Sequence, residues 1–216
     1  MRLPRTAHTR QPWRIHEFTG DFRIEDVWSY RTPGAGPDDF PVMLAAVRAG
    51  REGAGQALPA RILFAIRWKL GALLGWDDPA TGLGTRVPSL RERLPQDLRD
   101  TVDPVGSPLT PVYLTDTEYV AEIANRTVHG LMHLGWVPLA GGGHELRMAV
   151  LVKPNGRLGR RYMDLIAPFR RYVIYPGMTR QFERAWRDRA LPVPGAGGVS
   201  SRGGTEGTAQ DPRRRP

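Results

Sequence analysis

The run Lys153-Pro154-Asn155-Gly156-Arg157-Leu158-Gly159-Arg160-Arg161-Tyr162-Met163-Asp164-Leu165-Ile166-Ala167-Pro168-Phe169-Arg170-Arg171-Tyr172-Val173-Ile174-Tyr175-Pro176 decides the fold. It carries the end of an apolar strand through a Gly-containing turn into an amphipathic aromatic helix. Tyr162, Leu165, Ile166, Phe169, Tyr172 and Val173 recur at helical spacing, with Arg160, Arg161, Arg170 and Arg171 to the flanks. Pro168 is expected to bend this helix. Pro176-Gly177 is expected to break it before Phe182 and Trp186 continue the stripe.

Working back from that helix, Val112 to Lys153 reads as β structure. Val112 to Leu114 and Glu118 to Ile123 are short strands, and Thr127 to Val137 is a longer one after a turn at Ala124-Asn125-Arg126. Gly141-Gly142-Gly143 turns the chain into Glu145 to Lys153, where Leu146, Met148, Val150 and Val152 face one way and Glu145, Arg147 and Lys153 the other. Such alternation predicts an antiparallel sheet with one covered face, and the C-terminal helix supplies the cover.

Earlier in the chain, Phe22 to Tyr30 reads as a first strand, alternating Phe22, Ile24 and Asp26 with Arg23, Glu25 and Val27. Asp38 or Asp39 then caps a helix to about Ala49 with Phe40, Met43, Leu44 and Val47 on one face. Leu58 to Leu74 is a second helix, striped by Ile62, Ile66, Leu70, Leu73 and Leu74. Asp77 to Pro88 is a loop, and Ser89-Leu90-Arg91-Glu92 has capping-box spacing. The expected fold is therefore α+β. A curved antiparallel sheet is gripped by a long C-terminal helix, with two shorter helices after the first strand.

Charge and composition bound the function. The formal charge is +9 over 216 residues, with pI near 10.7. Residues 1–14 carry +4, residues 157–189 carry +6 and residues 191–216 carry +2, leaving −3 for residues 15–156. The excess thus sits on two tails and one helix, not on a continuous basic surface with interleaved aromatics, and neither DNA nor RNA binding is expected. Residues 1–13 are expected to be a disordered basic tail, 14–190 a single domain, and 191–216 a disordered Gly/Pro/Arg tail. The absence of cysteine excludes disulfides, thiolate catalysis and cysteine metal sites. No secretory signal or transmembrane segment is visible, because Arg61, Arg67 and Lys69 interrupt the most apolar stretch. A cytoplasmic protein is expected.

Several of these runs carry a family resemblance. Asn125-Arg126-Thr127-Val128-His129 and Lys153-Pro154-Asn155-Gly156 with Gly159 are two of them. Tyr162-Met163, Leu165-Ile166, Pro168-Phe169-Arg170 and Tyr175-Pro176 are the others. Together they resemble the domain-of-unknown-function family 2867 (DUF2867), from about Phe22 to Trp186. Members of that family occur alone in bacteria or behind a short-chain NAD(P)-dependent epimerase-like domain. No dinucleotide-binding domain is present here, so no cofactor is implied. The helix laid over an antiparallel sheet is in turn similar to the START-like, or SRPBCC helix-grip, superfamily, although fewer strands are predicted here than that superfamily usually has. The resemblance implies a cavity for lipids, polyketides or other apolar molecules between sheet and helix. Fold alone assigns no function.

The candidate ligand-binding residues follow from that geometry. Met132, Trp136, Met148, Phe169 and Tyr172 are expected to supply apolar walls, with Tyr162 and Tyr175 as polar direction. His129, His133 and Arg147 are further polar candidates. The two histidines share the face of their strand with Thr127, Leu131 and Gly135, opposite the more apolar Val128, Met132, Leu134 and Trp136. They are therefore expected to point outward or lie at an edge. No third metal ligand can be placed beside them, so no metal is expected. Asp116 with Glu118 reads as a solvated pair, and Asn155 to Arg161 as a turn with solvated arginines. No nucleotide loop and no Gly-x-Ser-x-Gly elbow is present. The expected function is non-covalent binding of a small apolar molecule. The alternatives are a cyclase-like or other small-molecule enzyme using Tyr or His acid–base chemistry, and a surface interaction module using the Arg-rich helix and tails. Catalysis and any protein partner are left open by the residues.

Overall fold

Alternating apolar side chains in the second half of the chain build the centre of the molecule, in a computed structural model that describes residues 1–53, 87–103, 109–124 and 128–189. The strands are β1 (Arg2–Leu3), β2 (Arg23–Tyr30), β3 (Thr110–Leu114), β4 (Glu118–Ala124), β5 (Val128–Pro138) and β6 (His144–Pro154). The helices are α1 (Thr6–Thr9), α2 (Phe40–Gly53), α3 (Gln96–Arg99), α4 (Gly156–Phe169) and α5 (Tyr175–Asp188). Short 3-10 turns occupy Arg14–Glu17, Pro37–Asp39 and Leu90–Arg93. The helix expected over Leu58 to Leu74, most of the loop after it, the turn at Asn125-Arg126 and the C-terminal tail lie outside the described residues.

The strands form one antiparallel six-stranded sheet in the order β1-β2-β6-β5-β4-β3. Gly142 and Gly143, at φ of +87° and +79°, make the tight turn between β5 and β6, a conformation that side chains with a Cβ resist. On one face, α2 and α5 pack through Phe40, Met43, Phe182 and Trp186 against Tyr30, Trp136, Leu146 and Met148. The α+β class and the covering helix are as the sequence predicts. No described helix is long and apolar enough to cross a membrane.

The second face differs from expectation. It too is covered, by the N-terminal segment and the stretch from Leu90 to Leu98. Glu145, Arg147 and Lys153 read that side of β6 as polar, but Ala149 and Leu151 between them are 0% and 2% exposed. An apolar strip of that kind must be sheltered from water. Residues 1–13, expected as a disordered tail, take part in sheltering it. Leu3 and Arg2 pair with Val27 and Trp28 of β2, and the Met1 amino group donates to the Ser29 carbonyl at 2.5 Å. Trp13 is buried over Gly135, where the missing side chain leaves room for the indole.

The C-terminal helix also departs from the sequence reading. It is not broken at Pro176, but passes Pro168 and runs through a π-turn at Arg170–Ile174 lying between the two prolines. Pro176 falls in the first turn of α5, where a missing N–H is tolerated. The wide turn delays the inward face by about one residue. Met163, Arg170, Tyr175, Phe182 and Trp186 therefore point to the sheet, whereas Leu165 and Tyr172 are each 79% exposed. Apolar periodicity places Phe182 and Trp186 on the covered face, as found, but misassigns Leu165 and Tyr172 because one inward position is an arginine.

Candidate functional site

The first polar site is made by a bulge in β2. Ile24 pairs with Leu151 and Asp26 with its neighbour Val150, so Glu25 is an extra residue in the ladder. A bulge of this type re-aims consecutive side chains. Here it turns both carboxylates to Arg170, whose Nη2 lies 3.4 Å from Glu25 Oε2 and 3.4 Å from Asp26 Oδ2. The Tyr175 hydroxyl donates to Asp26 Oδ2 at 3.2 Å. Burial, then the Asp26 charge, raises the Tyr175 pKa above its ordinary value and keeps the phenol a donor.

This ion pair is nearly shut off from water, with Asp26 1% and Arg170 7% exposed. Yet Asp26 Oδ1 and Arg170 Nε have no hydrogen-bond partner among the described residues. Nε of Arg2 and of Arg171 each stand 3.8 Å from Oδ1, too far and too solvated to satisfy it. Buried polar atoms left in this state cost about 1–3 kcal/mol each and call for an explanation. A surface cleft of about 320 Å³ reaches the same place at the β1–β2 edge, lined by Arg2, Leu3, Pro4, Arg5, Glu25, Asp26 and Val27.

Next to this ion pair the described residues cover the sheet incompletely. Asp26, Val150 and Met132 form one cross-strand row, and Val150 and Met132 are only half-buried although β5 and β6 are the central strands. Leu134 and Met148 on one side of that row are each 1% exposed, while Val152 and Val128 on the other are 2% and 9% exposed. Ile166, Phe169 and Ile174 of the helix are likewise half-buried. The thin place in the core therefore lies where the helix passes through its π-turn.

The second polar site is on the opposite face and rests on a repeat of four. Glu118 and Glu122 project from β4, and His133 and His129 from β5, each pair meeting diagonally across the ladder. His129 Nε2 is 2.8 Å from Glu122 Oε2, and His133 Nε2 is 3.2 Å from Glu118 Oε2. Each carboxylate also accepts from the start of a 3-10 turn. Glu118 takes the amides of Arg14 and Ile15 at 2.8 and 3.4 Å. Glu122 takes that of Leu90 at 2.9 Å together with the Ser89 hydroxyl. Anions at the free N–H groups of a turn's N-terminus are favourable, so these glutamates pin two covering segments to the sheet.

Glu118 begins a longer chain. His133 Nδ1 is 3.1 Å from His8 Nε2, and His8 Nδ1 is 3.1 Å from His16 Nε2. A carboxylate only accepts, so His133 donates through Nε2 and accepts at Nδ1. The same logic makes His8 and His16 neutral Nε2–H tautomers. Burial, reinforced by His133 and His16, lowers the His8 pKa to about 3. Burial, then His133, lowers that of His16. For Glu118 burial acts upward, but the hydrogen bonds and charge of its neighbours prevail and hold the carboxyl below its ordinary value. The Tyr113 hydroxyl also donates to it at 2.8 Å. Among the described residues no group of three His, Asp or Glu converges as a metal ion requires.

The expected site residues thus fall into separate places. Met132 borders the thin part of the core, with Phe169 half-buried on the helix, and Tyr175 reaches Asp26. Trp136 and Met148 lie in the filled part, where Trp136 packs on Phe40 and Trp186 and Met148 accepts from the Tyr30 hydroxyl. Tyr172 faces solvent rather than the sheet. The side chain of Tyr162 lies outside the description. His129 and His133, expected outward, are 4% and 1% exposed, and Glu118, expected to be solvated, is 3% exposed. They are buried because the second face has a cover. Arg147 donates to Glu145 and to the Ala7 carbonyl, and so fastens the N-terminal segment. Sequence reasoning missed Asp26, Arg170, His8, His16 and Glu122. The matched spacing of Glu118/Glu122 and His129/His133 was the available signal.

A family model described as a protein of unknown function, DUF2867, matches residues 18–178. No curated protein and no solved structure matches the chain. The matched span takes in Asp26, Arg170 and both Glu–His pairs, while His8 and His16 precede it. With well over half of its length covered, the chain belongs to the DUF2867 family.

Proposed function

We propose that the protein binds one small, largely apolar molecule between the sheet and its C-terminal helix, with the polar end of that molecule set against Asp26 and Arg170. The observation that supports this most is the pairing of an apolar gap with an unsatisfied ion pair. Met132 and Val150 remain half-buried at mid-sheet, and beside them Asp26 Oδ1 and Arg170 Nε are buried without partners among the described residues. An apolar surface with a few convergent polar groups is the usual make-up of a small-molecule site. The same reading takes the six-stranded sheet and long helix as a helix-grip, START-like architecture, with a second cover added on the far face. Binding is favoured over acid–base catalysis because the Tyr175 proton is committed to Asp26. The histidines, moreover, lie on the other side of the sheet.

Native and denaturing mass spectra of the purified protein, followed by extraction, test the reading directly. One equivalent of an apolar compound, or uptake of one equivalent of N-phenyl-1-naphthylamine, is expected. Val150→Phe, which fills the gap, is expected to abolish uptake without lowering Tm. Uptake that is absent, or that survives Val150→Phe unchanged, rules the pocket out.

A further inference from the structure

Resting on that pocket, we infer that the polar end of the ligand is an uncharged hydroxyl group, so that the protein selects alcohols or phenols over acids and amines of the same skeleton. Donor and acceptor accounting at the ion pair carries the inference. The buried charges are Asp26, Glu25 and Arg170, with side chains 0%, 10% and 9% exposed. Arg2, Arg23 and Arg171 stand at the rim with side chains 43–49% exposed. Asp26 Oδ2 is already occupied by Tyr175 and Arg170. What remains among the described residues is one acceptor, Oδ1 of Asp26, and one donor, Nε of Arg170, since Glu25 Oε1 stands against Arg23 Nε. Both belong to the pair joined at 3.4 Å through Nη2 and Oδ2, and a single ligand group is assigned to the two.

A hydroxyl is the simplest group that gives one proton and accepts another. Its O–H donates to Asp26 Oδ1 and its oxygen accepts from Arg170 Nε, leaving neither unpaired. A carboxylate has no proton to give. It leaves Oδ1 unsatisfied and sets a third negative charge beside two that share a single buried cation. An ammonium satisfies Asp26 but leaves Arg170 Nε without an acceptor and adds a cation to a rim that already carries three guanidinium groups. Sites built around a substrate hydroxyl reject analogues that lack it far more strongly than apolar pockets reject a change of size.

The test compares matched sets on two skeletons. These are decan-1-ol, decanoate and decylamine, and 2-naphthol, 2-naphthoate and 2-naphthylmethylamine. Each competes with bound N-phenyl-1-naphthylamine at neutral pH. On the skeleton that fits, the alcohol is expected to bind about tenfold or more tightly than its acid and its amine, the ratio of one hydrogen bond to a charged group. Asp26→Asn is expected to narrow that ratio by several-fold. The wild-type comparison stands by itself if the variant fails to fold. Equal affinities, preference for an acid or an amine, or a bound probe that no member displaces would each overturn the hydroxyl assignment while leaving the pocket standing. Failure of the probe itself to bind removes the pocket and the assignment together.

Discussion

Replacing His8 by asparagine takes one titrating ring out of the chain that ties the N-terminal segment to the sheet, and the consequence depends on pH. His8 is 1% exposed. Its folded pKa, about 3, lies below the ordinary 6.5 because of burial and then the neighbouring His133 and His16. Above pH 6.5 the ring is neutral in both folded and unfolded chains, and its hydrogen bonds contribute in full. As pH falls from 6.5 toward 3 the unfolded chain takes up the proton and the folded one does not. Stability is then lost at about 1.4 kcal/mol per pH unit. That amounts to about 3 kcal/mol by pH 4.5 and to about 5 kcal/mol over the whole window. His16, also shifted down by burial, adds in the same direction. Glu118, held below its ordinary value in the fold, adds a further loss once pH falls below the usual carboxyl range. Asparagine cannot bridge both histidines, so His8→Asn is expected to be about 1–2 kcal/mol less stable at pH 7.5. Near pH 4.5 the deficit is expected to vanish or reverse. Urea unfolding at pH 7.5, 6, 5 and 4.5, with equal m-values for the two proteins, reads this out. Stability curves that stay parallel across that range would refute the buried neutral relay.

Two further perturbations examine the same face. A Cβ at Gly135 would lie 2.7 Å from Cζ2 and Cη2 of Trp13, so Gly135→Ala is expected to cost about 1–3 kcal/mol. It should also alter the near-UV signal of Trp13, and an unchanged Tm would contradict the close packing. Glu122 is 0% exposed and holds His129, the Ser89 hydroxyl and the Leu90 amide. Glu122→Gln replaces one acceptor oxygen by a donor and is expected to cost about 2–4 kcal/mol. Faster hydrogen exchange at Leu90 is expected with it, and exchange at the native rate would show that the carboxylate does not anchor this turn.

How far the sequence reaches can be judged element by element. Alternation located β2 and β4 to β6 to within a residue or two, because a two-residue period over a long run is hard to mistake. Ser89 and Glu92 form the capping box that their spacing announces. The apolar face of α2, from Phe40 to Val47, is the buried face. Alternation fails at Glu25, since a bulge adds a residue without changing composition, and Ile24 and Val27 end on the same face. It fails again in the C-terminal helix, where an ion-paired Arg170 takes an inward position that apolar counting assigns to solvent.

The chain by itself determined what its local patterns encode. These are an antiparallel sheet, a long helix laid across one face, the turn glycines between β5 and β6, and the absence of thiol chemistry. Only the tertiary structure decided what the polar residues do. Asp26 meets Arg170 and Tyr175 from far along the chain, and His8 meets His133 in the same way. Neither meeting leaves a periodic trace. Whether a carboxylate or an imidazole is solvated or buried depends on which distant segment covers it. Here the N-terminal segment, polar by composition, covers the second face of the sheet through Trp13 and Ile15. Burial is a property of the assembled surface, and residue type along the chain fixes only the part of it that repeats.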